Sequence, residues 1–146
     1  MGIPLEAVSE PTAKAKRRIL VVDDDPNNTH LVKILLERSG PYSVLEENSD
    51  AHAFEAARSF KPDLVLLDVV MQGFDGGNVA QQIQADDALH NTPIIFLTGL
   101  ITKSEAKSGL HIEGRPVLAK PINIPELIEA IETELLVNSQ PLSASA

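Results

Sequence analysis

Four short apolar runs along the chain each lead into a residue that can carry out chemistry. The run Ile19–Val22 is followed by three aspartates, and the run Leu64–Leu67 is followed by Asp68. The remaining two runs end at Thr98 and at Lys120. Near-continuous apolar runs of this length are typical of strands that are covered on both faces. They restrict the chain to folds that bury a parallel sheet between two other layers.

Helix signals alternate with the strand signals. The strands are predicted near residues 18–23, 42–47, 63–68, 93–98 and 116–119. One helix is predicted from Pro26 to Gly40, three more near residues 50–59, 77–85 and 102–110, and a last one after Asn123. Pro26 suits a first helical turn, Gly40 ends the first helix, and Asn123 is a predicted cap of the last one. The first helix has Leu31, Ile34 and Leu35 on one side, and the last has a predicted core stripe of Leu127, Ile128, Ile131, Leu135 and Leu136.

This alternation predicts an α/β fold with right-handed crossover connections. Residues 42–47 are more mixed in character than the other strands and read as an edge strand. The pattern fits a flavodoxin-like three-layer αβα sandwich, with a five-stranded parallel sheet in the order 2-1-3-4-5 and five helices. In such a sheet, ligands bind beyond the carboxyl ends of the strands, where the strand order reverses.

The length of 146 residues suits one domain, which we place at residues 17–137. Residues 1–16 are predicted to be a disordered tail, and residues 138–146 a flexible one. The chain has no cysteine, no apolar run near the roughly 20 residues of a membrane span, and no secretory signal pattern. We therefore predict a cytoplasmic protein that does not insert into membranes.

The net charge of −9 argues against direct binding of nucleic acid, which needs a basic face. The one basic cluster is Lys14, Lys16, Arg17 and Arg18, just before the first strand, and we interpret it as a solvated flank. The four histidines are scattered among polar residues and lack metal-ligand spacing, which favours surface positions.

The strand-end residues predict one site. Asp23, Asp24 and Asp68 would converge beside the first and third strands, and clustered buried acids are costly unless a cation neutralises them. Hard oxygen ligands favour an ion such as Mg²⁺. Asp25, directly before Pro26, is better explained as a helix cap than as a ligand. Thr98 and Lys120 would add a hydroxyl and an amine, as suits a bound phosphoryl group.

These residues together resemble the receiver domain of two-component response regulators. The resemblance spans about residues 17–137 and rests on five positions at four strand ends. The matching motifs are Ile19–Pro26, Asp63–Asp68 with Met71 and Gly76, Leu97–Gly99, and Lys120–Pro121.

The resemblance implies a role for each matching residue. Asp68 would be the phosphoacceptor and a metal ligand, Asp24 a direct Mg²⁺ ligand and Asp23 a ligand through water. The backbone carbonyl of Val70 would complete the protein's share of the metal coordination. Thr98 would be the switch hydroxyl that follows the phosphoryl group, and Lys120 would pair with that group.

A stand-alone receiver of this kind would accept phosphate from a sensor histidine kinase or a histidine phosphotransfer protein. It would then relay the phosphate or bind a downstream protein target, with a homodimer through the fourth helix, fifth strand and fifth helix as one outcome. Catalysis would be confined to its own phosphorylation and dephosphorylation. The alternatives are a phosphorylation-independent pseudo-receiver that only docks, and a phosphatase-like enzyme with an aspartyl nucleophile.

The sequence departs from the family pattern at three positions. Gln72 stands where proline is usual, Gly99 where alanine is common, and Val117 where tyrosine or phenylalanine is usual. The last departure removes the aromatic partner whose rotamer normally follows the switch hydroxyl. Phosphate acceptance is unaffected, whereas signal output must use another route.

Overall fold

The computed structural model describes residues 16–68, 70–71, 74–98, 111–112, 115–120 and 122–139. The predicted helix at residues 102–110 lies outside these ranges, as do Gln72, Gly99 and nearly all of both predicted tails. Predictions about those segments stay predictions. No helix in the described ranges has the length and apolar character that a membrane span requires.

The described elements follow the predicted alternation. The strands are β1 (Arg17–Val22), β2 (Tyr42–Glu47), β3 (Leu64–Asp68), β4 (Val70–Met71), β5 (Phe74–Asp75), β6 (Ile94–Thr98), β7 (His111–Ile112) and β8 (Arg115–Ala119). The helices are α1 (Pro26–Ser39), α2 (Asp50–Phe60), α3 (Gly76–Ala85) and α4 (Ile124–Ser139). Helix α4 runs two residues past the predicted domain end at 137 and into the predicted tail.

The main sheet confirms the predicted topology. Its order is β2-β1-β3-β6-β8, and all four of these pairings are parallel. Because β6 and β8 are the predicted fourth and fifth strands, this is the order 2-1-3-4-5, with β2 at the edge as expected. The short strand β7 pairs antiparallel with β8, and β4 and β5 form a separate antiparallel pair.

The strands separate two apolar clusters, which makes the fold a three-layer sandwich. Leu20 and Val22 of β1 pack with residues of α2 and α3 on one face of the sheet. Ile19 and Val21 pack with residues of α1 and α4 on the other face. Side chains alternate across a strand, so a strand covered on both faces must be apolar at every position. This explains the unbroken apolar runs of the sequence.

Polar groups define the ends of the helices. Asp25 Oδ1 accepts a hydrogen bond from the backbone N–H of Asn27 at 2.9 Å, which confirms its predicted role as the cap of α1. Asn123 Oδ1 accepts from the N–H of Glu126 at 2.9 Å and caps α4 in the same way. Lys61 follows α2 in the left-handed region, with φ of 52°.

The predicted core position Leu136 is wrong, and helix α1 does not bury the side on which the sequence places Leu31. Helix α1 buries Val32 and Leu36, whereas Leu31 is 54% exposed and borders an open groove. Leu136 of α4 is 63% exposed. Both leucines stand one residue from the stripe that contacts the sheet, and one residue is about 100° of rotation around a helix. Apolar periodicity identified these helices but did not determine which of their residues contact the sheet.

Candidate functional site

Asp23 follows β1 directly, and its backbone and side-chain polar atoms all form hydrogen bonds within the chain. Its N–H donates to the carbonyl of Glu47 at 3.2 Å, which extends the ladder to β2 by one residue. Its Oδ1 accepts from the N–H of Asp25 at 3.0 Å, and its Oδ2 accepts from Asn28 Nδ2 at 3.4 Å. The residue is only 2% exposed. Its carboxylate is therefore fixed before any ligand arrives.

Lys120 brings the ends of three strands together. It follows β8, and its Nζ donates to Asp23 Oδ2 at 2.9 Å and to Asp68 Oδ2. Asp68 is the last residue of β3 and is also 2% exposed. Two buried carboxylates thus share one ammonium group. The structure confirms that Asp23, Asp68 and Lys120 converge, as the strand-end pattern predicted.

The protonation equilibria follow from this geometry. Burial acts to raise the pKa of Asp23, but the N–H of Asp25 and the Lys120 ammonium outweigh it and lower that pKa. Burial acts to lower the pKa of Lys120, and the hydrogen bonds to Asp68 and Asp23 raise it instead. Both Asp23 and Lys120 are therefore held in their charged forms.

Asp24 lies beside this pair but is exposed. Its partial desolvation, together with the neighbouring Asp23 carboxylate, raises the pKa of Asp24. The neighbouring carboxylates add like-charge repulsion to this effect on the pKa of Asp24, and a bound cation would relieve that repulsion. Asp24 is the residue of the predicted site whose carboxylate a metal ion can most readily reach from solvent.

For the remaining predicted site residues, Thr98 and Val70, the structure describes the position of the backbone. Thr98 ends β6 and is in register with Ala119, the residue before Lys120. It therefore lies at the same edge of the sheet as Lys120. Val70 begins β4, two residues after Asp68, and pairs with Asp75. The roles predicted for Thr98 and for the Val70 carbonyl stay predictions.

The donor set is compatible with Mg²⁺ held by few protein ligands. Within the described ranges, no three His, Cys, Asp or Glu side chains form a ready-made metal cage. Asp23, Asp24 and Asp68 still provide hard oxygen donors at one edge of the sheet. Mg²⁺ commonly binds to one or two carboxylates and retains several waters, so a complete protein cage is not required.

Asn48 and Thr29 contribute to the site but were missed in the sequence. Asn48 Nδ2 donates to the backbone carbonyl of Asp23 at 2.8 Å and to Thr29 Oγ1 at 3.0 Å. Asn48 follows β2 just as Asp23 follows β1. The strand-end rule that identified the acids would have found Asn48, had it been applied to the edge strand.

The comparisons with known proteins agree with this geometry. The sequence matches the family described as "Response regulator receiver domain" over residues 19–132. The chain belongs to this receiver domain family. Such domains accept a phosphoryl group and signal through two-component systems, and they generally depend on Mg²⁺. They interact with histidine kinases or phosphotransfer proteins and with downstream targets. The predicted family and the predicted receiver function are both confirmed.

Two curated receiver relatives have nearly the length of the matched region. The chain is 31% identical to Protein PilH of Pseudomonas aeruginosa over 118 residues, which cover 81% of this chain and 97% of PilH. It is 29% identical to the polar-differentiation response regulator DivK of Brucella anthropi over 119 residues, which cover 82% of this chain and 96% of DivK. In both relatives, the receiver makes up almost the whole protein.

Solved receiver structures share the fold. The N-terminal domain of a response regulator receiver protein from Methanoculleus marisnigri aligns with a TM-score of 0.60 at 36% identity, over 82% of this chain and 96% of that one. The chemotaxis protein CheY4 of Vibrio cholerae aligns with a TM-score of 0.70 at 24% identity, over 82% of this chain and 98% of that one. The second likeness shows the fold alone.

Proposed function

We propose that this receiver accepts its phosphoryl group on Asp68 and that Asp23, Asp24, Thr98 and Lys120 serve that reaction. The observation that carries the proposal is the contact of one ammonium, Lys120 Nζ, with both buried carboxylates Asp23 and Asp68. A buried, charged carboxylate beside a fixed cation is suited to attack on a phosphoryl group, whose negative charge must be neutralised.

The reaction is an in-line displacement. A carboxylate oxygen of Asp68 attacks the phosphorus of a phosphohistidine or of a small phosphodonor. The bond from phosphorus to the leaving group breaks, the leaving group keeps the electron pair, and Asp68 becomes an acyl phosphate. Bound Mg²⁺ would supply charge neutralisation of the phosphoryl oxygens. Lys120 remains beside Asp68 and pairs with the added negative charge.

Asp24 and the Val70 carbonyl are proposed as direct metal ligands, with Asp23 acting through water. Thr98 is proposed to donate a hydrogen bond to the phosphoryl group from the end of β6. A movement of Thr98 towards the phosphoryl group would alter the surface around β8 and α4. Val117 is 2% exposed in β8 and has no aromatic ring to move, so the output depends on the loop after β6.

Labelling with a small phosphodonor tests the acceptor assignment. Wild-type protein, Asp68→Asn and Asp87→Asn would be treated with acetyl phosphate and Mg²⁺, and their intact masses measured. Asp87 is an exposed acid that follows α3, at the opposite edge of the sheet, so it is a matched control. We expect one phosphoryl group on the wild type and on Asp87→Asn, and none on Asp68→Asn.

The alternative functions give other outcomes. Absence of any labelling in the wild type would support the phosphorylation-independent docking module. Rapid steady consumption of acetyl phosphate would support an enzyme acting on external substrates. Phosphate mapped to Asp23 or Asp25 would show that the acceptor assignment is wrong.

The partners and the location are proposed at a finer level than the family establishes. We propose that the phosphodonor is a sensor histidine kinase or a histidine phosphotransfer protein and that the receiver acts in the cytoplasm. Homodimerisation through the helix predicted at residues 102–110, β8 and α4 is a further proposal. Sedimentation of the phosphorylated and unphosphorylated forms tests it, because an unchanged monomeric mass in both would exclude it.

A further inference from the structure

A chain of polar contacts runs from the edge strand into the acid site. It begins at Asn48, which follows β2 and whose Nδ2 donates hydrogen bonds in two directions. One goes to the backbone carbonyl of Asp23 at 2.8 Å and the other to Thr29 Oγ1 at 3.0 Å. Both N–H groups of this amide are thereby used on partners that are 2% and 0% exposed.

The backbone carbonyl of Asp23, which accepts a hydrogen bond from Asn48, determines the position of the Asp24 backbone. A peptide unit is planar, so the direction of the Asp23 carbonyl fixes the position of the Asp24 Cα atom. The side chain and the N–H of Asp23 are fixed by other bonds, to Asp25, Lys120 and the β2 backbone. Asp24 itself is exposed, and its carboxylate extends from that Cα position. The direction in which the Asp24 side chain extends therefore depends on the peptide unit between Asp23 and Asp24.

Thr29 holds the Asn48 amide in turn. It lies in the first turn of α1 and is fully buried. Its hydroxyl proton has acceptors at Glu46 Oε1, at 2.9 Å, and at the Pro26 carbonyl, at 3.2 Å. With the proton used there, a lone pair of the hydroxyl is left to accept from Asn48. The threonine thus restricts the amide to the rotamer that reaches Asp23.

We propose that Asn48, held by Thr29, is a positioning residue that aims Asp24 at the metal ion. The inference rests on the proposed function, because it takes Asp24 as the direct Mg²⁺ ligand. It assigns no contact with the metal or the phosphoryl group to Asn48 itself. Its consequence is that Mg²⁺ affinity depends on Asn48, a residue that follows the edge strand and is not itself a ligand.

Calorimetric titration with MgCl₂ tests this assignment. Loss of one hydrogen bond to a buried carbonyl corresponds to a change of about fivefold in an equilibrium constant. We therefore expect Asn48→Ala to weaken Mg²⁺ binding about fivefold, and Thr29→Val to weaken it about threefold. Thr29→Ser keeps the hydroxyl and should retain the wild-type affinity. Asn91→Ala removes an exposed amide that precedes β6 and serves as the control.

A purely structural role predicts a different pattern. Urea unfolding without Mg²⁺ measures the stability of each variant separately from its affinity for the ion. Lower stability of Asn48→Ala with unchanged Mg²⁺ affinity would overturn the proposal. Should Asn48→Ala fail to fold, the comparison of Thr29→Val with Thr29→Ser decides, since equal affinities in that pair would also overturn it.

Asp24→Ala separates this inference from the proposed function. If Asp24→Ala binds Mg²⁺ as tightly as the wild type does, the metal site itself has been misassigned. If Asp24→Ala loses binding while Asn48→Ala and Thr29→Val keep it, the metal site stands and only the positioning role fails.

Discussion

At the residue scale, Lys120 offsets the cost of burying the carboxyl groups of Asp23 and Asp68 side by side. Each acid is 2% exposed, and each accepts a hydrogen bond from the same ammonium. Transfer of an isolated carboxylate out of water is costly, and a paired cation offsets that cost. The pairing makes Lys120 part of the stability of the fold as well as of the proposed chemistry.

Lys120→Met is expected to destabilise the protein by about 2–4 kcal/mol, because two buried carboxylates lose their cation. Added Mg²⁺ should restore part of the loss by neutralising the same acids. Urea denaturation followed by far-ultraviolet circular dichroism, with and without Mg²⁺, measures both effects. The chain has no tryptophan, so fluorescence is a poor probe.

Lys16→Met is the matched control for this substitution. Lys16 is exposed, and its replacement should change stability by less than about 0.5 kcal/mol. Equal effects of Lys16→Met and Lys120→Met would contradict the role assigned to the buried pair.

Asp68→Asn is expected to raise stability in the absence of Mg²⁺. Asp23 and Asp68 share the ammonium of Lys120, with Asp24 next to Asp23, and carboxylates held this close repel one another. Removal of one negative charge should add about 1 kcal/mol, since Lys120 keeps Asp23 as its partner. The same denaturation assay measures it. A loss of stability would mean that attraction to Lys120 exceeds the repulsion among the acids.

At the scale of elements, one polar cluster ties β1 and β2 to α4. Tyr42 of β2 donates from its hydroxyl to Glu132 Oε2 at 2.5 Å, and Arg17 of β1 bonds to Glu132 Oε1 at 2.8 Å. Both carboxylate oxygens of one helix residue are thus used by two strands. The cluster lies at the amino-terminal ends of these strands, away from the acid site.

Tyr42 should resist ionisation at alkaline pH. Burial, followed by the hydrogen bond to Glu132 and the charge of Glu132, raises its pKa well above the ordinary 10.0. The raised pKa means that this contribution to stability is complete below pH 10 and declines as the pH rises further. Tyr42 is the only tyrosine of the chain, so phenolate absorbance reports on it alone.

Glu132→Gln should bring the onset of phenolate absorbance to lower pH, because the neighbouring negative charge is removed. Glu129→Gln changes an exposed acid of the same helix and should leave the titration curve unchanged. Ionisation of wild-type Tyr42 at its ordinary pKa, with the fold intact, would contradict the assigned hydrogen bond.

At the scale of the whole molecule, Mg²⁺ should stabilise the folded receiver. An ion that binds only the native state adds about 1.4 kcal/mol at ten times its dissociation constant. Melting curves should therefore shift upward with MgCl₂ in the wild type and stay unchanged in Asp24→Ala. Equal shifts in the two proteins would place the stabilising ion at another site.

Much of the fold could be predicted from the sequence because the rules involved are local. Strands buried on both faces must be apolar throughout, which marked β1, β3, β6 and β8 as strands covered on both faces and the mixed β2 as an edge. Parallel strands end at a common edge of the sheet, so Asp23, Asp68 and Lys120 could be placed together from their positions alone.

The tertiary structure decided the contacts that no local rule reaches. Apolar periodicity does not determine which residues of α1 touch the sheet, and Leu31 lies outside that contact. The bond from Asn48 to Asp23 spans 25 positions, and the bond from Tyr42 to Glu132 spans 90. Such pairs depend on how helices and strands pack in three dimensions. The sequence by itself determined the family and the acid edge, whereas packing determined which polar side chains hold the acids in place.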